Sequence, residues 1–314
     1  MTAWMLAAGI APLPLLLGGR MTVRLASAAW TSRRPRAALV LWQAIGLSAG
    51  LGALGLGLVA AVAPLAAAFP HGVHTLGDQI LDGRGLSGLG WGHVAALLWS
   101  LSLPAWLLAH TARTLTRTAA DRRRQRLLID LVADLDRGYG AHVLPEARPV
   151  AYCVPGRSRR RARVVVSRGT LERLSPRHVH AVLAHERAHA RGRHDLVLLP
   201  FAALAQALPI LSAPRTAVRA VSVLLEMLAD DQARRRHGDL VLAQAIVQMV
   251  TPGDQRPAHA LALAQVEVVQ RVERLLTGTT APGHGTAVAA YGAAAGLLSG
   301  PLAVLIAPIV CTVL

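Results

Sequence analysis

Residues 181–195 read AVLAHERAHARGRHD and contain the run His185-Glu186-Arg187-Ala188-His189. On an α-helix, positions four apart lie one above the other on a single face, so these two imidazoles can converge on one ion. A catalytic zinc takes three protein ligands and keeps one position open. Glu186, projecting beside the first imidazole, is placed to take a proton from the water that fills that position. HExxH is therefore a metallopeptidase signature with a mechanism behind it. The same stretch, HERAHARGRHD, also fits H-E-x-x-H-x-x-G-x-x-D. In that metzincin-like spacing Gly192 turns the chain and Asp195 stands where a third His is usual. It leaves the long apolar run after Asp195 and the acidic segment at residues 226–231 without a role. His194 reads as a solvated helix-end residue, and His178 and His180 fall on other faces of the helix.

The chain around this motif is that of a membrane protein. Over 314 residues, 53% are apolar, and the mean hydropathy is +0.42, more than soluble domains carry. Net charge is +16 and all 33 basic residues are Arg. They cluster beside long uncharged runs, as cytoplasmic membrane flanks do, so the charge points to a bilayer and not to direct nucleic-acid binding. Cys153 and Cys311 lie in unlike surroundings and imply no disulfide framework.

Residues 1–19 carry no charge and are long enough to span, despite Pro12 and Pro14; they lack the basic start of a signal peptide. Arg20, Arg24, Arg33, Arg34 and Arg36 follow with no acid among them, which places that loop inside and the N-terminus outside. Residues 38–64 form a second span, whose Gly46, Gly50, Gly52, Gly55 and Gly57 suit close helix packing. Residues 70–90 read as an outside loop with Asp78, Asp82 and Arg84. Residues 91–110 form a third span, and Arg113, Arg117, Arg122, Arg123, Arg124 and Arg126 mark the return to the cytoplasm.

A charged region then runs to Asp195. Within it, 149–154 and 162–167 are β-branched runs that read as a hairpin, with Val164, Val165 and Val166 as an exposed edge for an extended substrate. Ser175-Pro176 suits a helix start, and Val179, Val182 and Leu183 give that helix a buried face. Residues 196–214 are again uncharged. Were they to cross the membrane, residues 216–225 would have to return alone, and ten residues make about 15 Å of helix against a ~30 Å core. The run is therefore expected to be re-entrant, interfacial or buried. A final span is expected at about 287–313, with the C-terminus outside. The fold class is thus a mainly α membrane protein of about four transmembrane helices. Its regions are 1–111 in the membrane, 112–285 as a cytoplasmic α+β zinc peptidase domain, and 286–314 as the last helix.

Glu226-Met227-Leu228-Ala229-Asp230 resembles the E-x-x-A-D pattern of gluzincin peptidases. Together with VVVSRGTLERLSP at 164–176 and RGRHD at 191–195, it is similar to the BlaR/MecR family of integral-membrane antirepressor peptidases. The HtpX and CAAX prenyl protease group resembles it more distantly. The resemblance implies one Zn²⁺ per chain on His185, His189 and Glu226, with Glu186 as base and Asp230 orienting a ligand His by accepting its other ring N–H. It offers His237 as an oxyanion donor. It also implies a protein or peptide substrate, such as a BlaI/MecI-type repressor or, on the HtpX-like alternative, a membrane quality-control or processing target. Antirepressors that sense β-lactams carry a penicillin-binding domain after the last span. The sequence ends at Leu314, so the protease half alone is expected. A non-catalytic scaffold with a structural zinc would call for four ligands rich in Cys, and a transporter for acids within its spans, which contain no Asp or Glu.

Overall fold

The computed structural model describes residues 18–156, 162–250, 258–277 and 284–313. Helices α1 (Gly18–Ala26) and α2 (Ala29–Arg33) lead into α3 (Pro35–Val62), α4 (Phe69–Leu81) and the long α5 (Trp91–Val132). Strands β1 (Asp134–Asp136), β2 (Ala141–Leu144), β3 (Ala151–Val154) and β4 (Arg163–Ser167) follow. Then come α6 (Arg168–Arg173), α7 (Pro176–Gly192), α8 (His194–Ala207), α9 (Ser212–His237), α10 (Asp239–Met249), α11 (Ala258–Leu276) and α12 (His284–Val313).

Among the described residues, three helices are long and apolar enough to cross a membrane: Pro35–Val62, Trp91–Val132 and Gly285–Cys311. The span expected at 1–19 lies almost wholly outside the described residues. Helix α3 is the hub of the bundle, and its glycines act as small-residue seats. A Cβ on Gly55 would sit 3.2 Å from Val304 of α12, and one on Gly57 would sit 2.9 Å from Trp99 of α5. Ser48 adds a bond across the same seam, donating to the carbonyl of Leu297 at 2.7 Å.

Two expectations about extent are corrected. Much of the loop expected at 70–90 is helix α4, with Pro70 in its first turn and Phe69 and Leu76 buried against Val59 and Val62. The helix expected to end near residue 110 continues to Val132. No Gly or Pro interrupts residues 105–132, and 42 residues at 1.5 Å give about 63 Å, twice a hydrocarbon core.

The sheet has the order β1-β2-β4-β3. The hairpin read from the sequence is present as β3 and β4, paired antiparallel with Cys153 opposite Val164. Its assignment of an open edge is corrected: β4 also pairs with β2, parallel, with Val165 opposite His142. Val164, Val165 and Val166 therefore have neighbours on both sides and cannot accept a substrate strand. Alternation along β4 sends Val164 and Val166 into a core with Val179, Val182 and Leu183 of α7, while Val165 faces Ile129 of α5. The sheet is thus held between the HExxH helix and the C-terminal end of α5.

Ser167 closes β4 and caps α6. Its hydroxyl oxygen accepts from Val150 N at 2.9 Å and Thr170 N at 3.2 Å, and donates to Arg148 O at 2.7 Å. Two residues on, a Cβ at Gly169 would fall 1.8 Å from Ala147 O. The SRGT run is built so that a backbone can pass directly over it.

The uncharged run 196–214 does not continue as one rod. Helix α8 is 14 residues, about 21 Å, and the chain turns at 208–211 into α9. Phe201 of α8 packs with Ala217, Val221, Leu224 and Leu225 of α9 and with Ala38 and Trp42 of α3. This core is shared between the apolar bundle and the motif-bearing helices, so the boundary placed near residue 111 divides the chain but not the packing.

Candidate metal centre

Helix α7 begins at Ser175-Pro176 as its sequence suggests and presents His185 and His189 one turn apart, their Nε2 atoms 3.1 Å from each other. Helix α9, returning after the 208–211 turn, brings Glu226 to the same point. Its Oε2 lies 3.3 Å from Nε2 of His185 and its Oε1 3.2 Å from Nε2 of His189. One ligand atom from each of the three residues lies within 4.8 Å of the others. Two imidazoles and a carboxylate facing one point are the donor set and protein-ligand count of a catalytic zinc site.

The surrounding groups fit an ion there. Nδ1 of His185 is 2.9 Å from Oδ1 of Asp230, which is 1% exposed. The ring nitrogen turned away from the ligand point is thus met by a carboxylate, as in metal-binding histidines generally. Arg271 of α11 grips Asp230 with two bonds of 2.8 Å and reaches Glu226 at 3.1 Å. The far nitrogen of His189, Nδ1, meets Nδ1 of His194 at 3.0 Å.

The electrostatics follow from burial set against these partners. Burial alone would raise Glu226, but His185, His189 and Arg271 reverse it and hold the carboxyl well below its ordinary range. Asp230 is likewise lowered against its burial, by Arg271 and then His185. Both are carboxylates at neutral pH and ready to meet a cation. Burial pulls His185 down, yet Asp230 and Glu226 overcome it and hold the metal-free ring up at about 10. Glu186 behaves oppositely: burial raises it, only partly offset by His185 and His189. That brings its proton affinity toward the working pH of a general base.

The structure brings together His185, His189, Glu226, Glu186 and Asp230. Two other sequence candidates fall elsewhere. Asp195 is turned away by the bend at Gly192-Arg193 and pairs with Arg122 of α5 at 2.6 Å, so the metzincin-like third ligand is set aside. His237 lies eleven residues beyond Glu226 on α9, roughly 16 Å along the axis. Burial and then the charges of His180, Arg236 and Arg187 lower it, and its place along α9 is too far from the ligand point to donate to an oxyanion there.

Two residues were missed. His194, read as solvated, is 7% exposed and touches His189. The glycine before it was the available signal, because a small residue one turn past a ligand makes room for a ring. Arg271 carried no signal, being one Arg among 33. Among the described residues the sheet has two edge strands, β1 and β3; on β3, Cys153 is pushed up to about 12 by burial and then by the charges of Glu186 and Asp195. Ala151 and Cys153 pack with Val179, Val182 and Leu183 of α7, so β3 runs beside the HExxH helix.

Helix α7 thus carries HExxH, and α9 brings Glu226 and, one turn later, Asp230 to the same candidate metal centre. Residues 118–252 match the family model of Peptidase family M48, a family of zinc metalloproteases. Protease HtpX of Pseudomonas entomophila is 36% identical over 100 residues, 30% of this chain and 34% of that protein. The chain thus matches about a third of that relative's length. No solved structure matches. The findings support a membrane metallopeptidase of the M48 type; they fall on the more distant of the two resemblances drawn from the sequence, and no antirepressor is among them.

Proposed function

We propose that this protein is a membrane-embedded zinc endopeptidase that cuts extended segments of membrane or membrane-proximal proteins on the cytoplasmic side. The observation that carries the reading is the convergence of His185, His189 and Glu226 beside a raised Glu186. A zinc ion on those three residues supplies Lewis acidity toward a scissile carbonyl and a water molecule. Glu186 takes the proton from the attacking water at its carboxylate and returns it to the leaving amine. Asp230 and Arg271 keep His185 and Glu226 aimed.

The substrate main chain adds along the outer edge of β3, residues 151–154. Of the sheet's two edges it is the one whose strand packs on the HExxH helix, and an edge strand offers its backbone groups to an extended peptide whatever the side chains. The cytoplasmic assignment rests on the Arg flanks. Both lie at the catalytic end: Arg122 of α5 pairs with Asp195, and Arg274 of α11 donates to Ser32 O of α2. The M48 match and the HtpX relative fit the HtpX-like alternative of a processing or quality-control peptidase and lend no support to a repressor target.

The test is metal content and proteolysis of the detergent-purified chain. Glu186→Gln is expected to keep about one zinc per chain and lose about 100- to 10,000-fold in cleavage of an unfolded membrane-protein substrate. Glu226→Gln should lose its zinc to a brief chelator challenge, and Asp195→Asn should keep it. Zinc retained by Glu226→Gln, or undiminished cleavage by Glu186→Gln, would overturn the reading.

A further inference from the structure

We infer that His194 is a positioning residue for the metal ligand His189, seated by a glycine at 192 and tied through Asp195 to the long helix α5. The inference rests on the metal reading above. Nε2 of His189 faces Glu226 and His185, so Nδ1 is the nitrogen left for a partner. It meets Nδ1 of His194 at 3.0 Å, the two rings standing nearly perpendicular, with an interplanar angle of 84°. A ligating imidazole donates from the nitrogen not on the metal. His189 therefore donates from Nδ1, the lone pair on Nδ1 of His194 accepts, and the proton of His194 sits on its Nε2. His194 does for the second ligand what Asp230 does for the first, with a neutral ring in place of a carboxylate.

The backbone is shaped for this contact. Arg193 has φ 48° and ψ 43°, the one non-glycine residue with positive φ among the described residues. That left-handed step ends α7 and starts α8 directly, folding His194 back over the last turn of α7. The ring lands on Gly192, where a Cβ would be 2.3 Å from Nε2 and 2.4 Å from Cδ2 of His194. Gly192 itself has no positive φ, so the space for the ring is what calls for glycine. The next residue, Asp195, is held by Arg122 at 2.6 Å with both side chains largely buried. A continuous path thus runs from α5 through Arg122, Asp195 and His194 to His189.

The experiment uses the full-length protein in detergent, loaded with zinc for release to a chelator and with Co²⁺ for its visible absorption bands. His194→Ala should release zinc about 10- to 100-fold faster and shift the Co²⁺ bands. His194→Asn, whose amide oxygen can accept in place of Nδ1, should recover most of that loss. Gly192→Ala should mimic His194→Ala in the unsubstituted background and add nothing to it in the double variant, because the clash is with the ring alone. Arg122→Ala should speed release by a smaller factor. Unchanged release and spectra in His194→Ala, or an additive Gly192→Ala, would overturn the positioning role while the metal reading stands. Unchanged release in Arg122→Ala would overturn the tie to α5. Should His194→Ala fail to fold, Gly192→Ala decides: unchanged spectra and release overturn the role. An unsubstituted protein that binds neither metal would remove the metal reading, and this inference with it.

Discussion

Arg271 holds two carboxylates, Asp230 and Glu226, that stand one helical turn apart on α9 and would otherwise repel. Asp230 is the more deeply placed of the two and serves both Arg271 and His185. Removing one partner of such a buried arrangement strands the others in a poorly solvated site, at a cost of about 3–5 kcal/mol. Asp230→Ala and Arg271→Ala should each lower unfolding stability by that order, and the double variant should lose less than the sum. Denaturant titration in detergent measures it. Strict additivity would mean the two residues act apart. His185, Glu186 and His189 could be placed from the HExxH spacing, which a helix converts into a direction, whereas Glu226 and Asp230 entered only through the resemblance to the E-x-x-A-D pattern. Arg271 was not, since it reaches Asp230 across 41 positions and nothing local marks it. His194 was legible in principle, through Gly192, but a His at a helix end is more readily read as solvated.

The HExxH helix lies beside an edge strand, β3. The run Val164-Val165-Val166 has no polar alternation, the mark of a strand covered on both faces and paired within a sheet. Strands β1 and β2, DLD and AHVL, are too short and polar to announce themselves, and without them the neighbour of β4 could not be foreseen. In the same way Pro70 was an available helix-start signal for α4, outweighed by the scarcity of charge around it. If the substrate lies along β3, each main-chain bond contributes about 0.5–1.5 kcal/mol. N-methylating the substrate amides that face the strand should then raise KM by about 2- to 10-fold per position, in an alternating pattern. Steady-state kinetics on a short peptide series checks this. An equal response at every position would rule out strand addition.

At the scale of the molecule, the part that carries the candidate metal centre is not a globule on a tether. Ala38 and Trp42, at the start of a membrane-length helix, are core residues for the helix that carries Glu226. The excised fragment 112–277 would expose Phe201, Val221, Leu224 and Leu225 as an apolar patch, which favours association. It should be insoluble, or bind zinc far more weakly than the full chain. A soluble fragment that holds one zinc per chain would show that the shared core is dispensable. The sequence suggested separable regions because charge changes abruptly near residue 111, and charge reports the solvent a segment meets, not the neighbours it packs on.

On the proposed metal reading, the shared core would give metal supply a hold on the protein's lifetime. Whatever binds only the folded state stabilises it by mass action, about 2.7 kcal/mol at a free concentration a hundred times Kd. With α9 packed on α3, that stabilisation extends into the apolar bundle. In a zinc-starved cell the whole unit, spans included, would open more often to the proteases that clear unfolded chains. Abundance would then fall together with activity.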